Sequence, residues 1–294
     1  MLFEKNISRW KPMKEVNSRE FKALLRPDFF EGSREEGYKI VWERIKQASL
    51  AHGFGVEDVS DPFSETHKIK EYFDTEDLAL RKRGLLIRQN SKVIDGSVVY
   101  PASLTAKELG RNTYRVLGTR LDFAEGITGK SEVEEKIALN DEGTLDGYVE
   151  IKRKIYLSQP REATTLRYFA DIFPELKHVR MDIDTELTSY RMHSHRIYPG
   201  AIILTDKRRI TFDIEACLYE GETSPFVVGC SYTLDTPKYH DMNKSHKKAE
   251  DFLCSVIEGA CKDLIYPGAG RWLGSKLSMM LEKNTNQILG FENV

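Results

Sequence analysis

The sequence is short of cysteine, of long apolar runs and of net charge, and each shortage excludes something. Four cysteines occur in 294 residues: Cys217, Cys230, Cys254 and Cys261. No two form a C-x-x-C pair, which argues against a zinc knuckle or a dithiol redox motif. Cys254 and Cys261 fall on one face of a predicted helix and read as buried thiols, so a reducing, cytoplasmic location is expected. No apolar run approaches the roughly 20 residues that a membrane-spanning helix needs, and no membrane partner is expected. The opening stretch MLFEKNISRWKP lacks the apolar segment of a signal peptide. A formal net charge of −2 argues against bulk, sequence-independent nucleic-acid binding, which needs a net basic face. It leaves room for a basic pocket balanced by acidic residues elsewhere. No internal repeat, low-complexity tract or evident linker is present. The expected organisation is one domain over residues 1–266, ending in a closing helix, with a helical tail over 267–294 packed on the same domain.

Apolar residues make up 40% of the chain and charged residues 31%, a mix that supports a sizeable core and excludes wholesale disorder. Three segments carry helical periodicity. The first runs from Ser33 to Leu50, with capping-box spacing at Ser33 and Glu36 and a stripe of Tyr38, Val41, Trp42 and Ile45. The second runs from Glu162 to Phe173, with Leu166, Phe169, Ala170 and Phe173 on one side. The third runs from Lys244 to Ile265, striped by Ala249, Phe252, Leu253, Val256, Ile257, Ala260, Cys261 and Leu264. Between them lie stretches of period-two alternation, among them 15–25, 68–75, 84–90, 103–109, 130–139, 148–157, 187–197, 208–218 and 226–234. Many strands and few helices predict a mainly β, largely antiparallel architecture, a sandwich or a barrel.

What alternates is unusual. Side chains along a strand point to opposite faces in turn. One face of the segment 207–215 carries Lys207, Arg209, Thr211, Asp213 and Glu215, and the other carries Arg208, Ile210, Phe212 and Ile214. Glu132, Glu134 and Lys136 share a face, as do Ser18, Glu20 and Lys22, then Ser103, Thr105 and Lys107, then Arg191, His193 and His195. Each polar face could simply be solvated, the ordinary fate of a one-sided antiparallel sheet. Alternatively the faces converge inside a closed sheet, and acidic and basic rows share one wet or ligand-filled cavity, because uncompensated burial of so many charges is prohibitive. Carboxylates suit a hard metal ion; Lys and Arg suit phosphate oxygens. His193 and His195 lack a matching third ligand, so phosphate contact or a solvated edge is favoured over a metal pair. The glycine-rich run from Gly268 to Lys276 fits neither phosphate-loop pattern and reads as a loop.

The segment Tyr72 to Arg88, YFDTEDLALRKRGLLIR, resembles the second-to-third strand signature of the CYTH proteins, members of the triphosphate tunnel metalloenzyme superfamily. That signature is a YFDT strand end, a turn with spaced leucines, a glycine, and a strand with an inward Arg. Further pieces follow in the family's order. Ser18 to Lys22 resembles a first-strand E-x-E-x-K motif with Ser18 in place of its first Glu, Leu104 to Lys107 a strand with an inward Lys, Glu132 to Glu134 the paired-carboxylate strand, and Arg209 to Asp213 the late strand ending in an inward Asp. The resemblance covers most of the chain to about residue 260. The stretches Glu20 to Lys22, Tyr148 to Lys154 and Arg209 to Asp213 are also similar to motifs of the VTC-type polyphosphate polymerase branch.

The resemblance implies a closed antiparallel β-tunnel of about eight strands with helices packed outside. It implies a metal-dependent phosphohydrolase acting on inorganic triphosphate or a nucleoside triphosphate, with Mg²⁺ or Mn²⁺ as cofactor and a small triphosphate or polyphosphate as partner. Polyphosphate polymerase and class IV adenylyl cyclase activities on the same fold stay open, as does a non-catalytic module that binds a phosphate ligand in a degenerate tunnel. The implied catalytic residues are Glu20, Glu134 and Asp213. The implied metal ligands are Glu20, Glu132, Glu134 and Glu215, and the implied phosphate ligands Lys22, Arg88, Lys107, Arg191 and Arg209. The chain departs from the family pattern at Ser18, at Asn90 where a second Arg often follows Arg88, and at Val228 and Cys230, where an acidic pair is expected in the last strand.

Overall fold

A computed structural model describes residues 15–235 and 244–285. The opening stretch Met1–Pro12 and the tail beyond Thr285 lie outside the described residues. In chain order the elements are β1 (Ser18–Leu25), α1 (Arg34–Ala51), β2 (Gly55–Asp58), β3 (Thr66–Asp74), β4 (Leu85–Ile94), β5 (Ser97–Gly110), α2 (Thr113–Leu117), β6 (Lys130–Leu139), β7 (Leu145–Leu157), α3 (Leu166–Ile172), β8 (Thr188–Thr205), β9 (Arg208–Leu218), β10 (Val227–Asp235), α4 (Lys244–Asp251) and α5 (Lys276–Thr285).

Nine strands close into a barrel in the order β8-β3-β4-β5-β7-β6-β1-β10-β9, sealed by the β8–β9 pairing, while β2 pairs with β8 outside it. Every pairing around the barrel is antiparallel except β1 with β6, which run parallel with Ser18 opposite Glu134 and Glu20 opposite Lys136. The sequence predicts about eight antiparallel strands; the structure has nine and one parallel pair. The reason is geometric. Directions cannot alternate all the way round a closed ring with an odd number of strands, so at least one adjacent pair must be parallel.

A barrel with a polar interior cannot bury its main core inside, so the core lies between its outer face and the helices. On α1, Tyr38, Val41, Trp42 and Ile45 pack with Phe252, Leu253, Val256 and Ile257 against outward residues such as Phe21, Ile197, Phe212 and Tyr232. Ser33 caps α1 by accepting a hydrogen bond from Glu36 N at 3.3 Å. Leu166, Phe169, Ala170 and Phe173 cover Phe73, Leu85, Ile87 and Leu104 on another side. The predicted helix from Lys244 to Ile265 is α-helical only to Asp251 and then π-wound over Phe252–Ala260. That wide turn places Cys261 N on Val256 O at 2.9 Å. No helix among the described residues is long and apolar enough to cross a membrane.

The C-terminal segment does something the sequence does not announce. Trp272, Leu273, Leu277, Met280 and Leu281 pack into the barrel end lined by Leu24, Tyr72, Leu86, Leu109, Tyr148, Met192 and Cys217. This apolar stopper closes one mouth. Gly274 makes the close approach possible: its φ is +69°, and a Cβ there would lie 2.6 Å from Lys22 Cγ.

Candidate functional site

Above the stopper the interior turns charged. Residues two apart share a face of a pleated strand, so each strand sends one parity inward. The cavity has a volume of about 250 Å³ and is lined by nine cationic side chains and three carboxylates. The cations are Lys22, Lys70, Arg81, Arg88, Lys107, Lys136, Lys152, Arg196 and Lys276; the carboxylates are Glu20, Glu150 and Glu215. A larger hollow of about 540 Å³ opens on the outside between the β6–β7 hairpin and the Tyr266–Gly274 loop. It shares only Lys22 and Gly274 with the tunnel and lacks its charge density.

Two knots of ion pairs organise the interior. In the first, Lys136 Nζ lies 2.6 Å from Glu20, 2.6 Å from Glu134 and 3.3 Å from Glu150. Lys152 pairs with Glu134, and Lys107 Nζ donates to both Glu150 oxygens at 3.0 and 3.1 Å. In the second, Glu215 lies 2.5 Å from Lys70, 3.0 Å from Arg196 and 3.1 Å from Lys276, and it accepts from Ser194 Oγ. Burial opposes the charge on Glu20, Glu150 and Glu215, but the surrounding cations outweigh it and hold all three carboxyls below the usual range. The cations do not all fare so well. Burial pulls Lys22 and Lys107 down to about 7 and Lys70 down to about 8. Among the described residues, Lys22 donates to the Tyr148 hydroxyl, at 2.7 Å. Arg88 Nε is buried with no hydrogen-bond partner among the described residues.

The YFDT-like segment turns out to be scaffold. Asp74 closes β3, and its carboxylate accepts 2.8 Å hydrogen bonds from the backbone N–H groups of Thr75, Leu80 and Arg81. The loop so held returns the chain into β4, where Arg88 enters the cavity, and it places Arg81, whose Nη2 donates to Ser278 Oγ of α5 at 3.1 Å. The turn glycine, Gly84, has a φ of +74°.

Of the residues predicted from sequence, Glu20, Lys22, Arg88, Lys107 and Glu215 line the cavity. Glu134 joins them through Lys136, and Asp213 stands on the same face of β9 as Glu215, accepting from Ser231 Oγ at 2.8 Å. Glu132 sits farther out, its side chain 38% exposed and paired with Lys152 and Lys154. Two placements correct the sequence reading. Arg191 lies on the outer face of β8, 41% exposed and 3.4 Å from Glu220, because Met192, Ser194 and Arg196 are the inward residues of that strand. Arg209 has the inward parity but starts its strand beyond the cavity, 71% exposed and paired with Glu57 of β2. His193 and His195 share the outer face with Arg191; His193 meets His67 at 3.0 Å and His195 meets Glu65 at 3.1 Å, so neither contacts the tunnel.

The last strand also needs a new register. Val228 and Cys230 face the outer core, and the tunnel side of β10 carries Gly229 and Ser231 instead. Gly229 leaves room for Lys276, whose Nζ would lie 2.8 Å from a Cβ at that position. Sequence reasoning missed Lys70, Glu150, Lys152 and Arg196 as site residues, although their alternation is visible within β3, β7 and β8. Lys276 carries no periodic signal at all.

No family model matches the chain, and no curated protein matches it. Among solved structures, a Hippeastrum protein described as an adenylyl cyclase candidate with a dominant triphosphatase activity is 12% identical. The match covers 94% of this chain and 99% of that one, with a TM-score of 0.42. The PH1819 protein of Pyrococcus horikoshii OT3 is 12% identical over 90% of this chain and 99% of that one, with a TM-score of 0.39. An adenylate cyclase candidate of Bacillus halodurans is 12% identical over 82% and 92%, with a TM-score of 0.37. Overlaps of that size leave the functional reading to this chain's own geometry.

Proposed function

We propose that this protein binds a linear inorganic triphosphate, or the end of a short polyphosphate chain, inside the tunnel. The observation that supports it is the charge imbalance: nine cations and three carboxylates around about 250 Å³. Burying that many like charges is expensive unless a polyanion joins them. Lys22 and Arg88 are the groups most open to such a ligand: among the described residues, one is bonded to a phenol and the other has its Nε unbonded. Lys107 and Lys70 add charge on either side. The stopper makes the tunnel blind, so a chain enters end-on from the Glu132 side and its length in the cavity is limited.

The metal implied by the resemblance does not fit these residues as they stand. Among the described residues, no group of three or more His, Cys, Asp and Glu side chains is placed to hold a metal ion. Glu20, Glu134, Glu150 and Glu215 are each spent on an ammonium or guanidinium.

A second reading, hydrolysis of the bound chain, rests on Asp213. Its Oδ1 is buried without a hydrogen-bond partner among the described residues, Arg196 Nε lies 3.8 Å away, and burial raises its pKa. A carboxyl so placed on the tunnel wall could orient an attacking water or take its proton.

The deciding experiment is calorimetric titration with tripolyphosphate, pyrophosphate and orthophosphate. The expected order of affinity is tripolyphosphate, then pyrophosphate, then orthophosphate. Arg88→Ala or Lys107→Ala should each weaken tripolyphosphate binding roughly 10- to 100-fold, the worth of one charge-assisted contact. Absence of binding to any of the three, by folded protein, overturns the reading. Phosphate release that is present in wild type and lost in Asp213→Asn with binding retained establishes the hydrolytic reading; binding without release leaves a binding module.

A further inference from the structure

The carboxylates of the first knot converge on one point, and that point is an ammonium. Lys136 is buried, and its Nζ is within 2.6 Å of Glu20 on β1, 2.6 Å of Glu134 on its own strand and 3.3 Å of Glu150 on β7. Glu20 lies directly opposite Lys136 across the parallel β1–β6 pair, and Glu150 is opposite Glu134 across β6–β7. Three strands thus deliver one oxygen-bearing side chain each to a single cation. Hard divalent ions are bound by the same chemistry, carboxylates from separate elements meeting at one centre.

We infer that Lys136 is a built-in cation that takes the place of a divalent metal in this tunnel, so that the protein binds its phosphate ligand without Mg²⁺ or Mn²⁺. This deepens the tripolyphosphate reading above and rests on it for the ligand, though not for the cation. The physical case has three parts. First, the ammonium satisfies its own charge and that of its neighbours. Three carboxylates around one buried Nζ offset the cost of burying each of the four charges. Second, the oxygens stand 2.6 to 3.3 Å from Nζ, which is hydrogen-bond spacing. Mg²⁺ would need them at about 2.0–2.1 Å and the ammonium gone. Third, the surrounding cations already outnumber the carboxylates. A divalent ion arriving at Glu20, Glu134 and Glu150 would meet the Lys136 ammonium already among them, a repulsion that Lys136→Ala removes.

The test separates the cation from the ligand. Mn²⁺ is titrated into wild type and into Lys136→Ala, without phosphate, and followed by electron paramagnetic resonance. Wild type should show no saturable site in the micromolar range. Lys136→Ala should gain one, because three carboxylates lose their shared counter-ion. The unfolding temperature of Lys136→Ala should fall in EDTA and recover with Mn²⁺, while that of wild type should not respond. In parallel, tripolyphosphate is titrated into wild type in EDTA and in Mn²⁺. Affinity in EDTA should equal or exceed that in Mn²⁺, since free Mn²⁺ competes for the ligand. A saturable micromolar Mn²⁺ site in wild type, or tripolyphosphate binding tightened about tenfold or more by Mn²⁺, overturns the inference. If Lys136→Ala does not fold even with Mn²⁺, the two wild-type titrations decide. If wild type binds no tripolyphosphate under either condition, the ligand reading fails, and the Mn²⁺ titration still decides the role of Lys136.

Discussion

Ser18 and Glu134 face each other across the one parallel strand pair of the barrel, and Ser18 Oγ donates a 3.2 Å hydrogen bond to Glu134 Oε1. The position at which the resemblance leads one to expect a carboxylate therefore holds a donor instead, and it serves a carboxylate from another strand. Adding a Glu at 18 would place two acids side by side; Ser avoids that repulsion. Ser18→Ala leaves Glu134 its two lysines, so the loss is expected at the low end for a hydrogen bond to a charged group, about 1.5 kcal/mol. Urea unfolding monitored by circular dichroism measures it, and no change in midpoint would mean that the bond is not maintained in solution.

Ligand binding should take up protons. Burial holds the folded Lys22 and Lys107 down at about 7, whereas an unfolded lysine titrates near 10.4. A bound polyanion favours the charged form, so near pH 8 the two lysines together should absorb between about one and two protons per ligand. Calorimetry of tripolyphosphate binding in two buffers of different ionisation enthalpy reads this number. Zero uptake, or proton release, would show that neither lysine meets the phosphate chain.

The same two lysines set a stability trend for the free protein. Their folded pKa lies below the unfolded one, so the unfolded state binds more protons between about pH 7 and 10.4 and stability rises with pH across that window. Below pH 7 both are charged in the cavity, and their full cost is present. The contribution should vanish in the double substitution of Lys22→Met and Lys107→Met, whose unfolding free energy should change less steeply from pH 7 to 9 than that of wild type.

The stopper should couple stability to the site. Met280 is fully buried in the apolar mouth, and Met280→Ala is expected to cost about 2–5 kcal/mol. Lys276→Ala, one turn away, removes a 3.1 Å ion pair from Glu215, which keeps Lys70 and Arg196. Its expected effect is a loss of tripolyphosphate affinity larger than its loss of stability. Gly229→Ala should act the same way in a milder form, because the added Cβ meets the flexible end of Lys276 at 2.8 Å and Ala23 O only at ordinary contact distance, 3.4 Å. Equal affinities for wild type and Lys276→Ala would place the ligand away from the closed end.

The outer core offers an independent check. Phe252 is fully buried and meets Phe54, Phe212 and Tyr232 at centroid distances of 5.2, 6.3 and 5.3 Å. Phe252→Ala is expected to cost about 3–5 kcal/mol in thermal or denaturant unfolding, and a loss under about 1 kcal/mol would place the π-wound segment elsewhere.

What the sequence by itself determined is what depends on neighbours along the chain. Period-two spacing put Glu20 with Lys22, Glu132 with Glu134, and Asp213 with Glu215 on common faces, and the pleat enforces that locally. The helical stripes at Tyr38 to Ile45 and Leu166 to Phe173 were legible for the same reason. Tertiary structure decided which face is inside. In β8 one face carries Arg191, His193 and His195 and the other Met192, Ser194 and Arg196, and both are polar enough to face water or charge. Only closure against β3 and β9 turns the second inward, where Ser194 and Arg196 reach Glu215. In β10 both faces are buried, so alternation carries no contrast, and Gly229 rather than Cys230 meets the cavity. Lys276 is the extreme case. It reaches Glu215 from 61 positions along the chain because an apolar segment plugs the barrel mouth, and no local pattern records a contact made by docking one end of the chain into a cavity built by the rest.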